Sequence, residues 1–278
     1  QLPPSYLAEN NSKPLLDVCI TFIVIETVFI SLLFISRYLN HDQKSGMGML
    51  SFMTIGYLVC MGKVTIGILM VKIGGAGIHL RALELHTISN ALKLQTALQI
   101  VCPLTTSLTK LAVCCFFLHI FGLTSRTYQH VIKGTFILIL CVLFVQVLIP
   151  FANCKPFSYT WNKMIDGKCA MDGIVLWRYL SIPNIVTDVI MVAIPIPALY
   201  KLHVSVATKI GLCVCFLTCA FGIAAAVLRF HSFLLVRDFS DITYRIIYPL
   251  VWTIAESGIY IIAGVIPTLR PLVRRIFK

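Results

Sequence analysis

Apolar residues in this chain run in long stretches rather than recurring every second or every third to fourth position. Seven such stretches stand out: Asp17–Ser36, Met47–Val71, Leu94–Ile120, Lys133–Ala152, Ile174–Tyr200, Ala207–Val236 and Arg245–Leu269. A transmembrane helix needs about 20 consecutive apolar residues, and each stretch meets that length. Backbone groups in lipid must be satisfied within the segment, which a helix does by itself. The pattern therefore predicts an all-α, polytopic membrane protein. It is read as one seven-transmembrane helix bundle filling residues 1–278 as a single domain. Composition agrees: hydrophobic residues make up 58% of the chain, charged residues 12%, and the mean hydropathy is +0.90. A soluble domain carries about a quarter charged residues.

The polar gaps set an expected orientation. The gaps after the first, third and fifth stretches, with the C-terminal tail, hold Arg37, Lys44, Arg126, Lys133, Lys201, Lys209, Arg270, Arg274, Arg275 and Lys278, against the single acid Asp42. The opposite gaps mix signs, as in Lys163, Asp166, Lys168 and Asp172. The basic side is cytosolic by the positive-inside rule, so the N-terminus is expected in the lumen or outside the cell and the C-terminus in the cytosol. Asn10-Asn11-Ser12 is a glycosylation acceptor that fits this placement. The expected location is the endoplasmic reticulum or the plasma membrane. The net charge of +12 then belongs to juxtamembrane residues facing anionic headgroups, so the lipid bilayer is the partner and nucleic acid is not.

Most of the 11 cysteines sit inside apolar stretches and serve as small packing residues. Cys154 and Cys169 differ, because both fall in the gap between the fourth and fifth stretches. A disulfide between them would close a short loop and contribute about 3 kcal/mol. That loop offers no His and no further Cys to complete a metal site, so no metal is expected.

The informative chemistry is charge where lipid should be. Glu26, Lys63, Lys110, Asp188, Arg229 and Glu256 all lie well inside apolar stretches. A charge at mid-bilayer costs roughly 2.5–3.5 kcal/mol on insertion scales, so such groups face the bundle interior and pair. Asn184 and Asp188 share one helix face, as do Trp252 and Glu256. The simplest arrangement points Lys110 at Asp188 or Glu256, with Arg229 reaching toward the luminal mouth. Two readings stay open: an ion-pair network that fixes helix packing, or a polar pocket in an apolar cavity lined by Lys110, Asn184, Arg229, Trp252, Tyr248 and Lys63. The surrounding aromatics, Phe216, Phe221, Phe230, Tyr244, Tyr248, Trp252 and Tyr260, would stabilise a cation if they faced that cavity.

Several of these residues stand in a familiar order. Gly75-x-Gly77-x-His79 follows the second stretch, and Lys110 precedes Leu118-His119-Ile120-Phe121. Then come Cys154-Lys155-Pro156, Trp161, Cys169, Asn184-x-x-x-Asp188, Pro195-x-Pro197, Lys209-x-Gly211 and Arg229. The series ends in Trp252-x-x-x-Glu256-x-Gly258 and Pro267-Thr-Leu-Arg270-Pro271-Leu272. From the second stretch onward the chain resembles the fungal rhodopsin-domain family, which includes appressorium-type receptors and satratoxin-cluster membrane proteins. It departs from that pattern at Gly46-Met47-Gly48-Met49, where the family carries adjacent acids, and at His119, where it carries an Arg. Both departures lie toward the cytosolic side. Retinal attachment of the microbial kind is not expected, since no Lys lies between Arg245 and Arg270.

The resemblance implies two functions. One is a membrane-embedded enzyme of fungal secondary metabolism, a non-oxidative terpenoid or meroterpenoid cyclase acting on a lipophilic substrate. Glu256 and Asp188 are then the candidate catalytic acid and base, with Glu26 as a third candidate, and no cofactor is expected. The other is a seven-transmembrane receptor whose lipophilic ligand enters the same cavity and whose output is a cytosolic G protein.

Overall fold

The computed structural model describes residue 6 and residues 9–39, 47–121, 126–196, 206–235 and 241–269. Lys44, Gly46, Pro197, Lys201, Arg237, Asp238 and the basic tail from Arg270 to Lys278 lie outside the described residues, as do the side chains of His119 and Lys209. The orientation argument rests partly on these positions.

The chain forms α1 (Lys13–Leu39), α2 (Met47–Lys72), α3 (Leu85–Phe121), α4 (Arg126–Asn153), α5 (Gly173–Ala193), α6 (Val206–Leu235) and α7 (Ile247–Val265). A single turn, Ile242–Arg245, leads into α7. Among the described residues six helical segments are long and apolar enough to cross a membrane, and α6 adds the shorter apolar stretch Cys219–Leu234. The protein is thus a multi-pass integral membrane protein.

Helix bounds differ from the hydropathy bounds for a physical reason. Apolarity marks where lipid lies, not where helical hydrogen bonding stops. α3 accordingly begins at Leu85, nine positions before the apolar run at Leu94, and carries its polar first turns beyond the span. A 3-10 turn at Leu80–Ala82 precedes the start of α3. α5 is interrupted after Ala193, although Ile194 keeps helical backbone (φ −56°, ψ −49°) and Pro195 and Ile196 are helical again; the break falls beside Pro195, which has no N–H to continue the hydrogen bonding.

Burial is uneven. In the apolar windows of α3 and the α7 segment, 61% and 72% of residues are buried, against 22% in α1 and in α4. The former two are the bundle's central helices and the latter two face outward. α7 packs on α1, α2, α3 and α6, and α3 packs on α2, α4, α5 and α7. One apolar core joins Leu15, Val64, Leu98, Trp177, Phe233 and Ile254, and another joins Leu111, Phe117, Ile132, Ile139 and Met191. Burying these side chains and satisfying the helical backbone fix where the few charged groups must meet.

The end of the bundle that holds the α2–α3, α4–α5 and α6–α7 connections is tied down by polar contacts. Asn11 N donates to Gly77 O and Gly77 N donates to Thr243 O, each at 2.9 Å. Gly77 has φ +97°, and a Cβ there would lie 2.6 Å from Ser12 N, so a larger residue would push the N-terminal segment off this loop. His79 is sandwiched between Tyr6 and Tyr244, with ring centroids 3.8 and 4.2 Å away. Its Nδ1 lies 3.2 Å from Asp241 and its Nε2 lies 3.5 Å from Glu9. In the α4–α5 connection, β1 (Cys154–Lys155) pairs antiparallel with β2 (Lys168–Cys169), and the expected disulfide joins Cys154 to Cys169.

Candidate functional site

The six charges singled out in the sequence form two clusters, both in contact with α7. In the larger, Lys110 of α3 reaches across to α5. Its Nζ lies 2.6 Å from Asp188 Oδ1 and donates to Asn184 O, Asn184 Oδ1 and Thr187 Oγ1 at 3.0, 2.8 and 2.9 Å. Asn184 then links this ion pair to a second one. Its Nδ2 donates to Glu256 Oε1 at 2.8 Å, and Arg229 Nε sits 3.0 Å from Glu256 Oε2. Asp188, Lys110, Arg229 and Glu256 are all nearly or fully buried. Lys110 also lies over the Tyr260 ring, 5.7 Å from its centroid.

The helical repeat places this cluster. Asn184 and Asp188 are one turn apart on α5, and Glu256 and Tyr260 are one turn apart on α7, so each pair presents one face inward. Lys110 meets Asp188, one of the two partners expected for it. Arg229 differs from expectation: it pairs with Glu256 inside the bundle instead of reaching the mouth. A guanidinium this deep finds its best compensation in a carboxylate already present, because nothing else in lipid can replace its water.

The smaller cluster lies between α1, α2 and α7. Glu26 Oε1 accepts from the Cys60 thiol at 3.4 Å, and Cys60 also lies 3.7 Å from Ser257 Oγ. Lys63 Nζ donates to Thr253 O at 3.1 Å. Among the described residues, Glu26 and Lys63 therefore share no hydrogen bond or ion pair with Asp188 or Glu256, although the Lys63 charge reaches Glu256 electrostatically. Among the described residues of the spans, three acids and three bases are buried.

A cavity of about 20 Å³ adjoins the larger cluster, lined by Gln99, Cys102, Pro103, Thr106, Gln146, Trp177, Leu180, Ser181, Asn184 and Arg229. Asn184 and Arg229 are among these lining residues, and Lys110, Trp252, Tyr248 and Lys63 are not. Tyr248 is 57% exposed and Phe221 67% exposed on the outer surface, so neither forms a wall. Trp177 is the one aromatic residue among those lining this cavity. Outward-facing aromatics bury their rings in lipid at no cost, which is why proximity in sequence to Glu256 did not bring them inward.

Gln99, Gln146, Ser181 and Trp177 were not singled out from the sequence. Gln99 and Gln146 carried a usable signal, an uncharged amide in an apolar run, which demands a partner for the same reason a charge does. Trp177 carried none, because it is equally at home at an interface.

Outside the spans, the hydrogen bond from Tyr6 is the main reason the Asp241 carboxyl is held below its ordinary value, with smaller help from His79 and Arg245. The same bond is the first cause that raises the Tyr6 phenol. Asn10 is exposed, and its Oδ1 accepts from Ser12 N at 2.9 Å.

Comparison with known proteins places this architecture. The fungal rhodopsin domain profile matches residues 32–275. The chain is 29% identical, over 92% of its length and 72% of the relative's, to the polyenoic acids biosynthesis gene cluster protein Ba17b of Metarhizium anisopliae. It is 25% identical, over 73% of its length and 51% of the relative's, to a SAT4 family membrane protein of Emericella nidulans. No solved structure matches. With the profile covering most of the chain, and a buried Lys110–Asp188–Asn184–Glu256–Arg229 network standing on the motif positions, the protein belongs to the fungal rhodopsin domain family.

Proposed function

We propose that this protein is a membrane-embedded enzyme of fungal secondary metabolism that isomerises or cyclises a lipophilic intermediate by proton transfer. The observation that carries this reading is the joining of Asp188 and Glu256 through Lys110 and Asn184, two carboxylates within one polar network in a non-aqueous interior. Two linked carboxylates can act as donor and acceptor in one reaction without a redox partner. The relative from the polyenoic acids cluster supports the metabolic setting. As the network stands, Lys110 and Arg229 neutralise both acids. A substrate polar group that displaces either cation frees one carboxyl to carry a proton. The finer assignment, a terpenoid or meroterpenoid cyclase with Glu256 as acid and Asp188 as base, follows the same logic. The cavity of about 20 Å³ requires that the helices part to admit such a substrate. The orientation that accompanies this reading puts the N-terminus and the disulfide-bridged loop in the lumen.

The test is direct. Membranes containing the protein are incubated with epoxidised prenyl-phenols and with polyenoic acids, and products of unchanged mass are sought by chromatography. Turnover should fall by about 100-fold or more in Glu256→Gln and in Asp188→Asn, the usual contribution of a general acid or base. Unchanged turnover in both variants refutes the assignment.

A receptor is the second reading, and family membership favours it. Two ion pairs that together join α3, α5, α6 and α7 form a two-state element that a ligand in the adjoining cavity can bias. Ligand-stimulated nucleotide exchange on a cytosolic G protein, with no product formed, would select it.

A further inference from the structure

The cavity beside Arg229 has a specific hydrogen-bonding shape. Three of its lining residues, Gln146, Trp177 and Arg229, are 3–4% exposed, and each carries a buried polar atom with no hydrogen-bond partner among the described residues. These atoms are Gln146 Oε1, Trp177 Nε1 and Arg229 Nη2. Native interiors seldom leave such atoms unpaired. The Gln146 amide is held in one orientation, because its Nε2 donates to Leu180 O at 2.6 Å. Its unpartnered atom is the acceptor Oε1, while one Nε2 hydrogen is spent on Leu180. Trp177 and Arg229 supply only donors.

Volume narrows the occupant. One water needs roughly 10–15 Å³ measured this way, and the cavity offers about 20 Å³. It takes a single oxygen with its hydrogen. Two donors and one acceptor complement a hydroxyl, whose oxygen accepts from Trp177 and Arg229 while its hydrogen goes to Gln146. A carboxylate fails because it brings no hydrogen for Gln146 Oε1. An ether or ketone oxygen accepts but leaves Gln146 unpaired.

We propose that this cavity is a hydroxyl-binding site: it holds the O–H of a lipophilic alcohol or phenol, or a water molecule in the same place. The assignment does not depend on the acid–base reading, since an enzyme and a receptor would use the site alike. Arg229 joins it to Glu256, so occupancy is felt by the larger cluster.

The experiment uses the full chain in phosphatidylcholine nanodiscs. Hydroxyl radicals generated by X-ray radiolysis label side chains that touch bound water or solvent, and mass spectrometry reads the rate at Trp177. Farnesol and its methyl ether, which share a chain but differ in the donor hydrogen, are the probes. Trp177 should be labelled in the free protein despite its burial. Farnesol should protect it at a concentration about fivefold lower than the ether, the discrimination expected of one hydrogen bond. Gln146→Leu should erase that difference, and Gln146→Met, closer in length but lacking the acceptor, should do the same if the first variant does not fold. Labelling that neither compound alters assigns the site to water and overturns the alcohol assignment. Trp177 as unreactive in the free protein as in Gln146→Leu overturns the site itself.

Discussion

Lys110→Met gives the sharpest test of the larger cluster. The substitution keeps the apolar stem and removes a cation that is 1% exposed. Four contacts go with it: the ion pair to Asp188 at 2.6 Å and the hydrogen bonds to Asn184 O, Asn184 Oδ1 and Thr187 Oγ1 at 2.8–3.0 Å. Asp188 is left as a buried anion without a counter-charge. Breaking one side of a buried pair costs about 3–5 kcal/mol. For a chain of this size that corresponds to a fall in unfolding temperature of about 10 °C. The double variant Lys110→Met/Asp188→Asn removes the orphaned charge and should recover more than half of the loss, because the penalty lies in the uncompensated anion. The assay is thermal unfolding in detergent followed with a thiol-reactive dye, for which the buried cysteines Cys19, Cys60, Cys102 and Cys114 are the reporters. A shift in the single variant below about 3 °C, roughly 1 kcal/mol, would refute the reasoning. So would a double variant no more stable than the single one.

The contact between Tyr6 and Asp241 should depend on pH. Asp241 is depressed chiefly by the Tyr6 hydrogen bond, so its contribution is fully present above the ordinary carboxyl value of 3.8 and is lost as pH falls through the lower value in the folded protein. Tyr6 is raised, so its share persists below its ordinary 10.0 and is lost as pH climbs past the raised value. Hydrogen exchange at the Asn11 amide, which donates to Gly77 O, should therefore stay protected across the intervening range and should lose protection at all pH values in Asp241→Leu; equal protection in that variant would count against the contact. Cys154→Ser should destabilise the protein by about 3 kcal/mol, the value for closing a loop of this length, and wild-type protein treated with reductant should match it in the same thermal assay. If the N-terminus is luminal, Asn10 should carry a glycan, so an N-glycosidase should increase gel mobility of the wild type but not of Asn10→Gln; a wild type indifferent to the enzyme would speak against that orientation.

Much was legible before any coordinates. Apolar stretches of bilayer length identified the spans, since lipid imposes a length and an internal hydrogen-bonding rule that leave little else possible. The six buried charges were readable as a set for the same reason, and so was the Cys154–Cys169 bridge, two cysteines in one polar loop. The inward faces of α5 and α7 followed from the four-residue spacings of Asn184 with Asp188 and Trp252 with Glu256, although Trp252 stays half-buried and away from the cavity. What the sequence could not decide was who meets whom. Helical spacing orders residues along one helix but says nothing of the rotation and depth at which two helices face each other. Those are set by packing of the whole bundle, and only there do Lys110 with Asp188, Arg229 with Glu256 and Glu26 with Cys60 become separate partnerships. Nor does a one-dimensional pattern carry volume: that Gln99, Gln146, Trp177 and Arg229 enclose room for one oxygen depends on how closely α3, α4, α5 and α6 approach.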